Sequence, residues 1–318
     1  MEREPVQHLN LDPRLKILAE AIIEAGEKIK LVPRVAKVKA GEGHRSVSTD
    51  GDEKAQEIII DRLAAGIPGV RILCEEDSKN PAVLPKNDPR GILESGSVVA
   101  IIDPVDSTLR YSNDTGGWSV VGGIMEGGVF VGSVLYAPGV NDGFLLVGEI
   151  GNQVWVYEWD HKLSFYSAQT IPLLPASKST VLAGVDTLLY DNFTQILPTI
   201  AANVKGVLTT GSGALGLAWL ACGRAQAVIQ TPQKAWDWAG MYAAVVASSC
   251  SFIFFRISEK GGLVPVDDFD YEAFCLMPKS NQLGFVAGRG DLAAKIWNLF
   301  PKTGWSRVDP DTVSGNWG

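Results

Sequence analysis

An apolar stretch that ends in two acidic residues is the feature that most constrains how this chain folds. Residues 98–102 (VVAII) have the composition of a buried strand, and Asp103 and Asp106 follow it with Pro104 between them. A strand that ends in this way, just before a helix start, brings carboxylate oxygens close to backbone N–H groups without partners. Carboxylates suit a hard divalent cation, and free N–H groups suit a phosphate. The stretch therefore predicts a cation and phosphate site at the end of a buried strand.

The composition limits the classes of function. The 318 residues carry a net charge of −8, whereas a nucleic-acid-binding domain usually shows a basic face. A phosphate ester is not excluded, because a bound metal ion can dominate the local electric field. The four cysteines show no CxxC pattern and the three histidines are dispersed, which argues against a zinc site. With no secretory leader and no apolar run as long as a membrane span, we expect a cytoplasmic protein without a nucleic-acid or membrane partner.

The hydrophobic periodicity predicts an α/β chain in two halves. The first half has helical spacing and β-type runs, with helices at 15–29 and 52–63 and strands at 70–74, 118–125, 129–136, 143–147 and 154–158. The second half alternates, with helices near 188–197, 212–222, 237–248 and 291–299 and strands near 206–210, 225–230, 252–257 and 283–286. Residues 160–182 between them are less patterned. We therefore expect an N-terminal α+β half, residues 1–160, with most metal ligands, and a C-terminal α/β half, residues 161–318, that completes the site.

Residues 32–48 form a basic segment without periodicity. It includes Arg34, Lys37, Lys39, His44 and Arg45 among glycines. Two interpretations stay open for it, a solvated connection and a lid over an anionic ligand.

Three groups of acids occupy similar positions, at the ends of apolar runs or at a helix start. They are Glu75 with Glu76, Asp103 with Asp106, and Asp237. Each has a structural explanation, since acids at strand ends are often solvated and Asp237 would make a good N-cap. Together they lie where chain reversals bring ligands to one place. Oxygen ligands without soft partners favour Mg²⁺ or Mn²⁺ over Zn²⁺, and two such ions can polarise a phosphate and activate water.

Four short motifs occur in an order that is typical of one known family. They are Thr49-Asp50, Glu75-Glu76, Asp103-Pro104-Val105-Asp106-Ser107-Thr108 and Trp236-Asp237-Trp238-Ala239-Gly240. On these motifs, over about residues 14–300, the chain resembles the inositol monophosphatase family, within the lithium-sensitive, magnesium-dependent sugar and nucleotide phosphatases. The resemblance implies a layered αβαβα fold of the inositol monophosphatase and fructose-1,6-bisphosphatase type, and hydrolysis of a small phosphomonoester. It also implies a homodimer.

The resemblance implies a set of metal ligands as well. Glu75, Asp103 and the carbonyl of Val105 would hold one Mg²⁺ or Mn²⁺ ion. Asp103, Asp106 and Asp237 would hold a second, and a third, weaker ion would lie near Glu75. Two to three ions per site are therefore expected.

The family also implies roles for the residues around these ions. Thr108, linked to Asp50, would help to orient and deprotonate a water molecule that attacks phosphorus in line, with Glu75 nearby. The backbone N–H groups of Ser107 and Thr108 would hold the phosphate.

The chain departs from the family at positions that bear on the substrate. Ser107 replaces a glycine, and we expect that the position does not need a positive φ, since every ligand position is retained. Gln230 stands six residues before Trp236, where relatives that act on inositol phosphate have an acid. Arg110 and Lys234 are each either solvated surface charges or contacts to a second anionic group of the substrate.

Two other classes of function compete with the phosphatase interpretation. Gly211, Gly213 and Gly216 match the GxGxxG pattern of NAD-binding oxidoreductases, but the next predicted strand ends in Gln230 and not in a ribose-binding acid. The resemblance instead places Gly211 and Ser212 at the substrate pocket. A catalytically silent homologue that acts as a binding protein would have lost a metal ligand, and none is lost. The sequence thus favours a Mg²⁺-dependent phosphatase of a small polyol, sugar or nucleotide phosphate.

Overall fold

Helices and sheets alternate in five layers. The computed structural model describes residues 6–39, 47–85, 96–158, 162–166, 171, 173–184, 187–188, 190–266 and 283–307. Helices α1 to α7 span Pro13–Ile29, Asp50–Gly66, Thr108–Ser112, Asp191–Asn203, Gly213–Ala221, Trp236–Ala247 and Leu292–Trp297. Strands β1 to β15 span Lys37–Val38, Val47–Ser48, Arg71–Cys74, Val98–Asp106, Ser119–Glu126, Val129–Ala137, Phe144–Glu149, Val154–Glu158, Lys162–Tyr166, Thr180–Ala183, Gly206–Leu208, Ala227–Gln233, Cys250–Ile257, Leu263–Val266 and Leu283–Arg289.

Two large sheets carry most of these strands. The first has seven strands in the order β3-β4-β5-β6-β7-β8-β9, and only the β3–β4 pair is parallel. The second has six strands in the order β11-β10-β12-β15-β13-β14, with β10 parallel to both of its neighbours. The first sheet includes residues on both sides of position 160, because β9 pairs with β8.

Three apolar clusters fill the spaces between the layers. Adjacent strand residues face opposite clusters, since side chains alternate along a strand. Val120 packs towards α1 and α2, while Val121 packs towards α5 and α6. In the second sheet Phe285 packs towards α5 and α6, while Val286 packs towards α4 and α7. The layers therefore follow the order helix, sheet, helix, sheet, helix, which confirms the predicted αβαβα arrangement.

Helices α5 and α6 are apolar on nearly every side because they lie between the two sheets. Their buried faces include Leu215, Leu217, Trp238 and Met241. Helix α6 begins at Trp236 with Ala235 at its N-cap, so Asp237 lies in the first turn. The alternative explanation of Asp237 as the N-cap is therefore wrong.

Strand β4 is longer than its apolar run. It continues through Pro104 to Asp106, and its pairing with β5 shifts register between Asp103 and Asp106. A proline cannot donate to the sheet, and a bulge accommodates it. The irregular end of β4 therefore lies where the two acids are.

Short strands were missed by the sequence reasoning. β1 and β2, of two residues each, pair antiparallel in the basic segment. β9 and β10 lie in or beside the unpatterned stretch 160–182. Such strands form through pairing with neighbours and not through their own periodicity. Among the described residues no helix is long and apolar enough to cross a membrane. His44 and Arg45 lie outside the described residues.

Candidate metal centre

The end of β4 and the start of α3 place the central acids. Asp103 and Asp106 are both buried, with 3% and 6% of their surface exposed. The backbone N–H of Val105 donates to Asp103 Oδ1 at 3.0 Å. The side chain of Asp103 therefore stabilises the backbone that leads to Asp106. Thr108 follows at the first position of α3, and its hydroxyl lies 3.1 Å from the carbonyl oxygen of Val105. The acids and the threonine thus come from one short segment.

Asp52, and not Asp50, is the partner of Thr108. The hydroxyl of Thr108 lies 3.0 Å from Asp52 Oδ1, and Asp52 is fully buried. The side chain of Asp50 is 53% exposed and forms an ion pair with Lys37. The predicted link between Asp50 and Thr108 is therefore wrong. Asp50 is the first residue of α2, while Asp52, two positions later, turns back towards the cap and the buried face of the helix.

A capping box fixes the orientation of Asp52. Its Oδ2 accepts hydrogen bonds from the backbone N–H of Thr49 at 2.8 Å and from the Thr49 hydroxyl at 2.6 Å. Oδ1 is left for Thr108. The spacing of Thr49 and Asp52 is that of a capping box, and this signal in the sequence could have identified Asp52.

Gln56, one turn further along α2, was also missed. Its side-chain amide exchanges two hydrogen bonds of 3.0 Å with the backbone N–H and carbonyl of Glu76. This clamp holds the turn after β3 in which Glu75 lies. A polar residue four positions after Asp52, on the apolar side of a helix, was the available signal.

Lys39 brings a positive charge to this turn. Its ammonium lies 2.7 Å from Glu75 Oε1 and 2.6 Å from Glu76 Oε1, and it is mostly buried. Burial by itself lowers the pKa of Lys39, but pairing with Glu75 and Glu76 outweighs this and raises it. Lys39 in the basic segment therefore contacts the acidic turn directly, which is neither of the two interpretations of that segment.

The C-terminal half contributes donors and one further acid. Asp106 Oδ2 accepts hydrogen bonds from the hydroxyl of Ser212, from that of Ser119 at 3.2 Å and from the backbone N–H of Ala214 at 3.2 Å. Asp237 Oδ2 accepts one from the backbone N–H of Lys234 at 2.9 Å. The turn before α5 therefore joins the two halves at Asp106.

The acids raise one another's pKa values. Burial, followed by the charges of Glu75, Asp106, Asp237 and Asp52, raises the pKa of Asp103 well above its usual range. Burial and the charges of Glu75 and Asp106 raise the pKa of Asp237 to about 8.

Two further acids show the same direction of shift. Burial raises the pKa of Asp52 to about 6, against its bonds with Thr49 and Thr108. Burial also raises that of Asp106 to about 6, although Ser212, Ser119 and the α5 N–H groups oppose it. Buried anions with too little positive charge near them favour the binding of a cation.

The donor set fits a hard divalent ion. Within the described ranges no three acidic, histidine or cysteine side chains already converge as a metal shell. The reason is visible in the contacts, since Glu75 pairs with Lys39 and one oxygen each of Asp106 and Asp237 accepts protein hydrogen bonds. The carboxylates of Glu75, Asp103, Asp106 and Asp237, with the carbonyl of Val105, form the oxygen-only set that Mg²⁺ or Mn²⁺ prefers. The charges of Glu75, Asp106 and Asp237 act on Asp103, so these four acids lie in one region of the structure.

Ser107 occupies a left-handed conformation, with φ 71° and ψ 57°. The expectation that this position does not need a positive φ is therefore wrong. The left-handed turn redirects the chain from β4 into α3, and its side chain makes no capping hydrogen bond. A glycine would meet this requirement without strain.

The other predicted substrate residues lie around the turn before α5. The guanidinium of Arg110 packs against Gly211, and the Gln230 amide packs beside Gly213. Gln230 is buried, and its Oε1 has no hydrogen-bond partner among the described residues. Lys234 is placed differently, with its ammonium 5.4 Å from the centre of the Trp236 ring.

Gly211 to Gly216 therefore belong to the acidic centre. Ser212 caps α5 and bonds to Asp106 at the same time. β11, which precedes the turn, is an edge strand of its sheet. The turn thus contributes hydrogen bonds to Asp106, while contact of Gly211 and Ser212 with a substrate stays a prediction.

Comparison with known proteins agrees with the motifs. The sequence profile of the Inositol monophosphatase family matches residues 10–269. The chain is 25% identical over 205 residues to a Thermotoga maritima protein named fructose-1,6-bisphosphatase/inositol-1-monophosphatase, covering 64% of this chain and 70% of the relative. It is 26% identical over 274 residues to the Nus factor SuhB of Xylella fastidiosa, covering 83% and 85%.

A solved structure shows the same fold. The extragenic suppressor protein suhB from Bartonella henselae superposes with a TM-score of 0.67 at 19% identity, over 91% of this chain and 98% of that one. The predicted fold type is thereby confirmed. The profile match covers most of the chain, so the protein belongs to the inositol monophosphatase family.

Proposed function

We propose that this protein is a Mg²⁺-dependent phosphomonoesterase that hydrolyses a small phosphorylated polyol, sugar or nucleotide. The observation that carries the proposal is the cluster of buried acids around Asp103, whose pKa values are raised by burial and, for Asp103 and Asp237, also by the charges of neighbouring acids. Burying several ionised carboxylates together lowers the stability of the folded state unless a cation binds there. Family membership supports phosphate-ester hydrolysis as the reaction that the cation serves.

The ligands and their chemistry follow from the donor set. Glu75, Asp103, Asp106, Asp237 and the carbonyl of Val105 would hold two to three Mg²⁺ or Mn²⁺ ions. When bound, these ions would supply Lewis-acid polarisation of the phosphate ester and of a water molecule.

The remaining residues position water and phosphate. Thr108 Oγ1, when it donates to Asp52 Oδ1, offers a lone pair to the attacking water. Asp52, with a pKa of about 6, is ionised at neutral pH and can take up the proton that Thr108 passes on. The N–H groups of Ser107 and Thr108, at the start of α3, would bind phosphate oxygens, because the first N–H groups of a helix lack intrahelical partners.

Phosphate release tests this function. Inositol phosphates, sugar bisphosphates, histidinol phosphate and 3′-phosphoadenosine nucleotides would be assayed with Mg²⁺, with Mn²⁺ and with EDTA. Asp106→Asn should abolish metal-dependent release, while circular dichroism and melting temperature show a retained fold. Asp50→Asn is the matched control, because the Asp50 carboxylate is exposed and pairs with Lys37. Equal turnover by wild type and Asp106→Asn would contradict the proposed metal site.

A non-catalytic binding protein is the second candidate. The observation in its favour is the similarity to a relative that is named as a Nus factor. Binding of Mg²⁺ in a calorimetric titration, with no phosphate release from any ester in the screen, would favour this candidate. The homodimer and the cytoplasmic location implied by the sequence remain part of the phosphatase proposal, and light scattering of the purified protein tests the dimer.

A further inference from the structure

Arg110 is a cation beside the acidic centre that has no acidic partner among the described residues. It lies in α3, two positions after Thr108. Among the described residues its guanidinium makes one hydrogen bond, a long one of 3.5 Å from Nη1 to the carbonyl oxygen of Gly116. Neighbouring cations are paired, since Arg34 contacts Asp114 and Lys39 contacts Glu75. The guanidinium therefore keeps most of its hydrogen-bonding capacity for something other than the described protein.

Two glycine turns make room for this guanidinium. A Cβ atom at Gly211 would lie 2.5 Å from Arg110 Nε and 3.2 Å from its Cζ. A Cβ at Gly117 would lie 3.4 Å from Nη1. Both glycines have positive φ, 71° and 72°, so both lack a side chain for steric and for conformational reasons. Arg110 is thus held in a slot in which any larger residue at Gly211 would displace it.

The slot adjoins the proposed reaction centre. Gly211 is followed by Ser212, whose hydroxyl donates to Asp106. Thr108, which contacts Asp52, lies in the same helical turn as Arg110. A ligand whose phosphate binds at the N–H groups of Ser107 and Thr108 therefore has a cation, Arg110, within the same short helix.

The chemistry of the side chain limits what it binds. A guanidinium stays charged at every physiological pH and presents a planar set of donors that matches phosphate or carboxylate in a bidentate way. The protein as a whole carries a net charge of −8, so a second anionic group needs a local cation. A substrate whose only anionic group is the reacting phosphate would leave Arg110 without an anionic partner.

We propose that Arg110 determines specificity by binding a second anionic group, a phosphate or a carboxylate, of a doubly anionic phosphate ester. This inference rests on the proposed phosphatase function and names its substrate class. The preferred substrate is then a bisphosphate or a monophosphate that also carries a carboxylate. A monophosphate of an otherwise uncharged polyol is a poorer substrate.

Paired substrates test the assignment. A sugar bisphosphate, the matching monophosphate and a carboxylate-bearing monophosphate of similar size would be compared in wild type, Arg110→Gln and Arg110→Lys. In Arg110→Gln we expect the ratio of kcat/KM between doubly and singly anionic substrates to fall at least tenfold, mainly through KM. Arg110→Lys should recover part of the ratio. The bisphosphate and carboxylate arms show which anion is preferred, and an unchanged ratio in both would overturn the proposal.

Gly211 provides an independent test through a neighbour. Gly211→Ala should lower the same ratio, because the added methyl group displaces Arg110. Gly69→Ala is the matched control, since Gly69 has nearly the same φ, 72° against 71° at Gly211, and open space around it. The double variant Gly211→Ala/Arg110→Gln should be no worse in ratio than Arg110→Gln alone, because both changes remove one interaction. Fully additive effects would contradict the assignment.

Failure of this inference is distinguishable from failure of the proposed function. Metal-dependent hydrolysis of p-nitrophenyl phosphate with an unchanged substrate ratio would leave the phosphatase and overturn the role of Arg110. No hydrolysis of any ester would reject the phosphatase. Calorimetric titration of the bisphosphate and the monophosphate into wild type and Arg110→Gln, with Mg²⁺ present, then still decides whether Arg110 binds the second anion.

Discussion

Ser107 shows how a single backbone angle can separate this chain from its relatives. It has a left-handed conformation between the acidic end of β4 and α3, where the resemblance places a glycine. Left-handed backbone costs a residue with a Cβ atom roughly 1–2 kcal/mol, and small polar residues tolerate it best. The chain therefore holds a strained residue next to its candidate metal ligands, as is common at functional sites.

Substitutions at Ser107 should follow the order set by this angle. We expect Ser107→Gly to be between unchanged and about 1 kcal/mol more stable, because relief of strain is offset by the larger freedom of glycine in the unfolded chain. Ser107→Val should lose about 1–2 kcal/mol, since a β-branched residue is a true outlier at positive φ. Urea denaturation measures all three proteins. Equal stability of the glycine and valine variants would contradict the left-handed conformation.

At the scale of the element, α2 uses one carboxylate for two purposes. Asp52 Oδ2 closes the capping box with Thr49, while Oδ1 contacts Thr108 in α3. The start of the helix and the orientation of the proposed water-binding threonine are thus coupled. A helix that frays at this end would also release Thr108.

A pair of substitutions separates capping from catalysis. Thr49→Ala removes the capping hydroxyl and should cost about 1 kcal/mol of stability, with activity within about threefold of wild type. Asp52→Asn keeps an oxygen that accepts hydrogen bonds but loses the negative charge, and activity should fall roughly 10²- to 10⁴-fold with little loss of stability. Thermal melts and phosphate release measure the two effects. Similar activity losses in both variants would show that helix stability alone determines turnover.

At the scale of the whole molecule, acids from both halves meet without enough positive charge. Asp237 has a folded pKa of about 8, above its usual value of 3.8. The folded state therefore holds this proton more tightly than the unfolded state does. Stability falls as the pH rises from about 4 to 8, because the unfolded carboxyl ionises first.

Asp237→Asn should reveal this dependence. In EDTA, wild type and variant should be equally stable at about pH 3, since the carboxyl is then mostly protonated in both states. The variant should become more stable than wild type as the pH rises, by a few kcal/mol at pH 8, at about 1.4 kcal/mol per pKa unit. Saturating Mg²⁺ should raise the melting temperature of wild type and remove the difference in stability between wild type and variant. A difference that does not change with pH would contradict the raised pKa.

The parts of the molecule with strong local patterns could be predicted from sequence. The run before Asp103 was predicted as a strand, and the periodicity of residues 15–29 agrees with α1. Local patterns did not reveal that β4 continues past Pro104, because the bulge depends on pairing with β5. Strands such as β10 were missed because their neighbours β11 and β12 come later in the chain.

The site divides in the same way. The proposed metal ligands were predicted from the family resemblance that four motifs carry, since strand ends and helix starts are visible in sequence. Asp52 was missed in favour of Asp50 because a shift of two residues in a helix start changes which side chain faces the core. The slot around Arg110 depends on two turns, at Gly117 and Gly211, that lie far apart in sequence. Proximity of that kind is a property of the tertiary structure.

The hydrogen bonds from Ser212 and Ala214 to Asp106 also bear on the order of folding. The bond from Ser212 spans 106 residues of sequence and the bond from Ala214 spans 108, and closing such long loops is slow. Strands β4 to β9 pair with their neighbours in sequence, so the first sheet can assemble before it meets the second. Asp103 and Asp106 then exist for a time without Ser212 or Asp237 beside them. The acidic centre is therefore among the last parts of the molecule to form, and divalent ions should mainly slow unfolding and leave the rate of folding nearly unchanged.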